Sequence, residues 1–244
     1  MSDFFKKKIL IAGGSGLLGI NWAFYKNKKY DVILGYNKKH VSLKNFLTFK
    51  VDFSSLNSTK AILNNIKPDI VINTVGLTNV DQCEKFTDIS KLTNTIVPKN
   101  ISLVCYDQNI PFVHISTDHL FSGQKALVSE CENHYPLNEY ARSKSEAEIL
   151  VSEKNPNALI IRTNFFGWGP KYRVSFSDFI ISNLRNKNKI TLFNDVFFTP
   201  IIIENLIGYI YELLEKGAYG VFNIVCSDRL SKYEFGIKIA KKFK

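Results

Sequence analysis

The stretch "KKILIAGGSGLLG", Lys7 to Gly19, constrains this chain more than any other. An apolar run of strand length strikes a cluster of glycines and then resumes with the look of a helix. Two spacings are satisfied at once, Gly14-x-Gly16-x-x-Gly19 and Gly13-x-x-Gly16-x-x-Gly19. Glycines placed this way have three tasks. One makes a tight turn, one lets an anion touch backbone N–H groups at the positive end of a helix, and one lets that helix pack on the strand. A strand before the motif and a helix after it make the expected anion the pyrophosphate of a dinucleotide. Gly13, Gly16 and Gly19, with Leu17 and Leu18 between them, form the expected cofactor loop.

The same alternation continues. Strands are expected at Lys8–Ala12, Asp31–Gly35, "LTFKVDF", "DIVINTV", "PFVHIST" and "ALIIRT". Helices are expected at about Gly16–Tyr25, in the serine-capped "SSLNSTKAILNNI", at Ile89–Asp107 and at Asn138–Glu153. Apolar strands without polar alternation are buried on both faces, and helical crossovers make them parallel. The fold class is therefore α/β, a doubly wound parallel sheet of the Rossmann type. After Arg162 the pattern loosens: "FFGWGPKYRVSFSDF" and "NKNKITLFNDVFFTPIII" suit loops and a small C-terminal lobe over the carboxyl edge. Residues 1–162 read as the dinucleotide-binding core. Residues 163–244 read as lobe elements with a last core strand, interleaved so that the whole is one unit.

Composition narrows the function classes. Charged residues make up 22% and hydrophobic residues 45% of the 244, as in a folded globular chain. No apolar run reaches the roughly 18 residues that cross a bilayer, and a cytoplasmic protein with no membrane partner is expected. The four cysteines form no CxxC and share no metal-ligand spacing with the four histidines, so no metal is expected. A formal charge of +10 could serve nucleic acid, but the lysines are scattered apart from Lys6–Lys8 and Lys26–Lys29. No basic stripe interleaves with aromatics, so nucleic acid is not an expected partner. Small anionic ligands remain. The end of the second strand offers Tyr36, Asn37, Lys38 and Lys39 where an acid would bind a ribose 2′-OH, so NADPH is favoured, with NADH as the alternative.

"NEYARSKSEAE" carries Tyr140-x-x-x-Lys144. With 11 tyrosines in a lysine-rich chain about one such spacing arises by chance, and a second copy at Tyr25 and Lys29 is read as accidental. On a helix, Tyr140 and Lys144 share a face. An adjacent ammonium and an oxidised nicotinamide would favour phenolate and bring the phenol's proton exchange towards neutrality, as a general acid for a developing alkoxide requires. "HISTDHLFSG" sets hydroxyls at the carboxyl end of a strand, where ligands of such sheets bind, and Thr117 is positioned to bond the reacting carbonyl oxygen.

The ordered motifs "GGSGLLG", "VDFSS", "KPDIVINTVGLTNVDQCE", "NTIVPKN", "VHISTDHLFSG", "YPLNEYARSKSEAE", "IIRTNFFGWG" and "FFTPI" make the sequence resemble the extended short-chain dehydrogenase/reductases. Within them it is similar to the dTDP-4-dehydrorhamnose reductase (RmlD-like) family. The resemblance implies hydride transfer from NAD(P)H to the C4 ketone of a nucleotide-activated deoxysugar, in a pathway supplying surface polysaccharide. It implies Thr117, Tyr140 and Lys144 as the catalytic set, with Lys144 also holding the nicotinamide ribose. Asn37, Lys38, Asp52, Phe53 and Val75 join the cofactor side. Thr78, Asp81, Trp168 and Asp195, near Thr199-Pro200, fall to the sugar-nucleotide side. Three departures accompany it. "NTVG" replaces an alanine-rich segment, so Thr74 and Val75 are expected to narrow the cofactor cleft. His119 and Ala141 stand where tyrosine and glycine are usual. The family's last few tens of residues are absent, so a shortened lobe is expected. A nucleotide-sugar epimerase or dehydratase, and a non-catalytic NADP-binding regulatory subunit like that of methionine adenosyltransferase, are the alternatives, and a homodimer is left open.

Overall fold

The computed structural model describes residues 6–25 and 30–243. The Lys26–Lys29 cluster, and with it Lys29 of the second Tyr-x-x-x-Lys spacing, lies outside the described residues, as does Lys244. The strands are β1 (Lys7–Ala12), β2 (Tyr30–Tyr36), β3 (Leu47–Lys50), β4 (Ile70–Asn73), β5 (Phe112–Ile115), β6 (Leu159–Arg162), β7 (Phe165–Phe166), β8 (Phe197–Phe198), β9 (Ile201–Ile202), β10 (Gly220–Asn223) and β11 (Leu230–Ser231). The helices are α1 (Leu17–Phe24), α2 (Leu56–Ile66), α3 (Val80–Lys85), α4 (Thr87–Lys91), α5 (Val97–Asp107), α6 (Glu139–Lys154), α7 (Phe176–Arg185), α8 (Ile203–Glu215) and α9 (Lys232–Lys242).

Seven strands form one parallel sheet in the order β10-β6-β5-β4-β1-β2-β3. The strand order reverses between β1 and β4, the crevice where such sheets bind ligands. One face of the sheet (Ile9, Ile11, Ile72, Val113, Ile115, Ile161) packs on α1 and α8. The other (Leu10, Ala12, Val71, Phe112, Ile160) packs on α2, α5 and α6. Each fully buried Ile or Leu contributes about 1.5–3 kcal/mol, which is why the strands carry almost no polar residue until their carboxyl ends. There the second face turns polar: Asn73 and His114 are register partners, and Arg162 follows on β6 two residues beyond Ile160, the register partner of His114. Trp22 on α1 donates its indole N–H to the Tyr211 hydroxyl on α8 at 2.8 Å, joining the two helices of the first face.

The expected helix over residues 89–107 is three segments. α4 ends at Lys91, a π-helical turn occupies Leu92–Ile96, and α5 follows with Pro98 in its first turn. A short α3 precedes them in the stretch after β4, where no helix was expected. α7 lies where loop was expected, in "SFSDF". Ser175 accepts from the Asp178 amide while Asp178 accepts from the Ser175 amide, and this capping box starts a helix that composition alone hides. α7, α9 and β8 share a second small core of Ile180, Ile181, Phe198, Phe235 and Ile239.

Candidate active site

The glycine loop follows from local sterics. Gly13 has φ +90°, which a side chain disfavours, and a Cβ there would lie 2.7 Å from Thr74 Oγ1. A Cβ on Gly14 would fall 2.6 Å from Leu34 Cβ on β2, and one on Gly19 would fall 2.7 Å from the Gly13 carbonyl oxygen. The loop is fixed by Gly13 and Gly14 amides donating to Gly35 O and by the Gly16 amide donating to Gly13 O. Gly16 is the N-cap of α1 and provides no side-chain cap. The first-turn amides, Leu17 and Leu18 among them, therefore keep their donor capacity at the positive end of the helix. Thr74 turns inward, its hydroxyl 2.9 Å from Ala12 O, and Val75 N–H donates to Asn73 Oδ1.

On the adenine side, Asn37 Nδ2 donates to Asp52 Oδ1 at 3.4 Å, and Asp52 also accepts from the Ser54 amide and hydroxyl. Phe53 spends its ring in the core against Gly35, so what it offers the cleft is backbone. Lys38 is exposed, and Lys39 Nζ lies 4.7 Å from the centre of the Tyr172 ring. Tyr172 donates its hydroxyl proton to Ser15 O at 3.2 Å, and Arg173 Nη2 reaches Thr78 Oγ1 at 3.4 Å. The segment from 168 to 173 thus spans from the glycine loop to the loop after β4.

Thr117, Tyr140 and Lys144 come together. Asn138 caps α6 by accepting from the Ala141 amide, which sets Tyr140 in the first turn and Lys144 one turn on. Thr117 leaves the carboxyl end of β5, its hydroxyl oxygen accepts from the His119 amide at 3.2 Å, and its side chain acts on the Tyr140 phenol. Tyr140 is 9% and Lys144 3% exposed. Burial pushes the phenol up to about 12, with the Thr117 bond opposing, and pulls the Lys144 amine down to about 8, with Glu148 opposing. Among the protein's own groups, then, burial is the largest influence on the phenol and acts against the expected move towards neutrality. His119, in the place of the usual tyrosine, meets the Tyr140 ring edge-on at 5.7 Å between centroids.

Several partners carried no sequence signal beyond a polar residue in an apolar run. Asn94, in the π turn, accepts from Leu77 N at 2.7 Å and donates to Leu77 O at 3.0 Å and Ser143 Oγ at 3.0 Å. It clamps the loop after β4 to the residue beside Lys144. Lys144 Nζ donates to Ile115 O at 2.7 Å and sits 3.2 Å from His114 Nε2. Glu148 forms a forked pair with Arg162, Nε and Nη2 to its two oxygens at 3.1 and 2.8 Å, and His134 completes the cluster. The residues expected on the sugar side are less gathered. Thr78 faces Arg173, whereas Asp81 is exposed in the first turn of α3, a favourable place for an acid. Trp168 packs on Phe243 with its carbonyl on Asn21, and Asp195 is exposed before β8; neither touches the triad.

Residues 7–244 match the family described as RmlD substrate binding domain. The chain is 30% identical over 237 residues, 95% of its length and 78% of the relative's, to a protein of Haloferax volcanii named "Probable low-salt glycan biosynthesis reductase Agl14". It is 26% identical to a dTDP-4-dehydrorhamnose reductase of Aggregatibacter actinomycetemcomitans, over 95% of this chain and 78% of that one. A crystal structure of the dTDP-4-dehydrorhamnose reductase of Bacillus anthracis in complex with NADP superposes with a TM-score of 0.86 at 26% identity, covering 99% of this chain and 82% of that one.

Proposed function

The chain belongs to the RmlD substrate binding domain family, and from that premise we propose that it is an NADPH-dependent reductase of the C4 ketone of a nucleotide-activated deoxysugar, serving glycan assembly. The relatives named as glycan-biosynthesis and dTDP-sugar reductases support the class of reaction, and the NADP complex of the Bacillus anthracis enzyme supports the cofactor. The observation that carries the reading is the buried set of Thr117 just past β5 with Tyr140 and Lys144 one helical turn apart on α6, at the carboxyl edge of a parallel sheet that also holds an uncapped glycine loop.

The residues present fit a dinucleotide. The α1 amides face a loop that only glycines can form, and Thr163 Oγ1, just past β6, is buried without a hydrogen-bond partner and suits a ligand amide or hydroxyl. Gly13, Gly16, Leu17, Leu18 and Gly19 would hold the pyrophosphate, Asn37, Lys38, Asp52 and the Phe53 backbone the adenosine end, and Val75 and Lys144 the nicotinamide ribose. Bound there, the reduced cofactor supplies hydride to the ketone carbon.

As that carbon is reduced, negative charge gathers on the ketone oxygen. The Thr117 hydroxyl donates a hydrogen bond to it, and the Tyr140 phenol gives it a proton. A phenol held near 12 is fully protonated at neutral pH, the state a proton donor must start from. Thr78, Asp81, Trp168 and Asp195 are assigned to the sugar nucleotide. Tyr140→Phe keeps the ring and removes the proton. It should lower kcat by about 10²–10⁴-fold while NADPH still raises the melting temperature; undiminished turnover would reject the mechanism.

A further inference from the structure

Beneath α6 the polar ends of β4 and β5 meet Lys144, and the hydrogen bonds there leave little freedom in where the protons sit. Val75 N–H is a backbone donor that cannot invert, and it points at Asn73 Oδ1 at 3.1 Å. The Asn73 amide nitrogen therefore faces His114, with Nδ2 3.0 Å from Nδ1. A donor there makes Nδ1 the acceptor, so the single proton of a neutral imidazole is on Nε2. Complete burial and the nearby Lys144 charge both hold His114 neutral. Nε2–H then points at Lys144 Nζ, 3.2 Å away, while Nζ donates to Ile115 O. A neutral amine accepts from Nε2–H through its lone pair. An ammonium has no lone pair, and it meets a donor where it needs an acceptor.

We propose that His114, with its tautomer set by Asn73, is a positioning residue that favours the neutral amine of Lys144 over the ammonium and so makes Lys144 an exchangeable proton store for Tyr140. This rests on the assignment of Lys144 to the catalytic set. The protons balance as follows. Tyr140 gives its proton to the product oxygen and becomes phenolate. The Lys144 ammonium returns a proton to the phenolate and becomes the amine that Nε2–H supports. Lys144 recovers its proton from water when the site opens to solvent. The other ionisable group acting on Lys144 is Glu148 on its own helix, which favours the ammonium and is itself committed to Arg162, while Tyr140 stands one turn earlier on that helix. A Lys144 amine brought down to about 8 by burial agrees with a group poised to exchange.

The test begins with the unaltered protein. ¹⁵N-histidine NMR should show one of the four histidines fixed as the Nε2–H tautomer and untitrated across the neutral range, and its signal should vanish in His114→Phe; an Nδ1–H tautomer overturns the proposal. Asn73→Asp is isosteric, still accepts from Val75 N–H, and accepts from Nδ1–H, which turns the Nε2 lone pair towards Lys144. The Lys144 midpoint, followed by ¹³C-lysine NMR, should rise by about one pH unit, a tenfold change, and the matching limb of the kcat/KM–pH profile should move with it. The new carboxylate also acts through charge alone, so the double variant Asn73→Asp/His114→Phe is the control. A rise that persists in full without His114, or no rise in the single variant, overturns the proposal. Absence of reductase turnover in a protein with the Nε2–H tautomer would instead sink the proposed function and leave the tautomer assignment standing.

Discussion

At the residue scale the site is a set of buried polar groups, each stabilised by a specific partner. Glu148 shows the arithmetic. Burial opposes its ionisation, but hydrogen bonds from His134 and Arg162 and the Arg162 charge outweigh burial and hold the carboxyl below its ordinary value. A depressed folded-state value means that the group stabilises the fold above its unfolded value near 4.5 and ceases to do so as pH falls through the lower folded one. Glu148→Gln should destabilise the protein by about 3–5 kcal/mol at pH 7, because Arg162 is left buried and unpaired, and should flatten the acid limb of a melting temperature–pH curve. A variant that melts like the parent at pH 7 would show the pair to be dispensable. The sequence made Thr117, Tyr140 and Lys144 legible because their chemistry has a spacing. It left Asn73, His114 and Arg162 unread because one polar residue at a strand end breaks no period, and only the assembled sheet brings the three to one face.

At the scale of elements, the turn at Leu92–Ile96 is the departure with most consequence. A helix read as continuous from the sequence is interrupted by a π turn, and the extra residue per turn delivers Asn94 to both backbone groups of Leu77. Asn94→Ala would strand the Leu77 amide, leave its carbonyl to the Cys83 thiol alone and remove the Ser143 hydroxyl contact, at a cost of about 1–3 kcal/mol. Amide exchange in residues 75–79 should accelerate while exchange in β1 and β5 does not; uniform acceleration would mean that the asparagine supports the fold and not the loop. The sequence reading placed α2 and α6 where Ser55 and Asn138 cap them. It missed α3, which is six residues long, α7, which begins within glycine- and aromatic-rich chain, and α8, which follows directly on the strand-like "FFTPII".

At the scale of the whole molecule, the parallel sheet and its helices were readable from the alternation of apolar runs, since a doubly wound order leaves few other arrangements. The part after Arg162 was readable only as lobe elements with a last core strand, because there the chain contributes single elements to different layers: β10 to the sheet, α8 to one face, α7 and α9 to a separate small core. The +10 charge is also a property of the whole. Both expected substrates are anions, so kcat/KM should fall several-fold between roughly 20 and 300 mM salt while kcat changes little. A flat dependence would assign the lysines to solvation alone.

The Trp22–Tyr211 hydrogen bond joins residues 189 apart in the chain, and this has a bearing on time. During synthesis the face of β1 that carries Ile9 and Ile11 emerges with α1 but without α8, whose Ile203, Leu206, Ile207 and Ile210 complete the cover. At about 5–20 residues per second, some ten seconds or more separate the two. For that interval the nascent dinucleotide-binding half presents an open apolar sheet face to whatever surrounds the ribosome. The helix that follows the glycine loop is thus among the first pieces made and among the last to be locked to its neighbour.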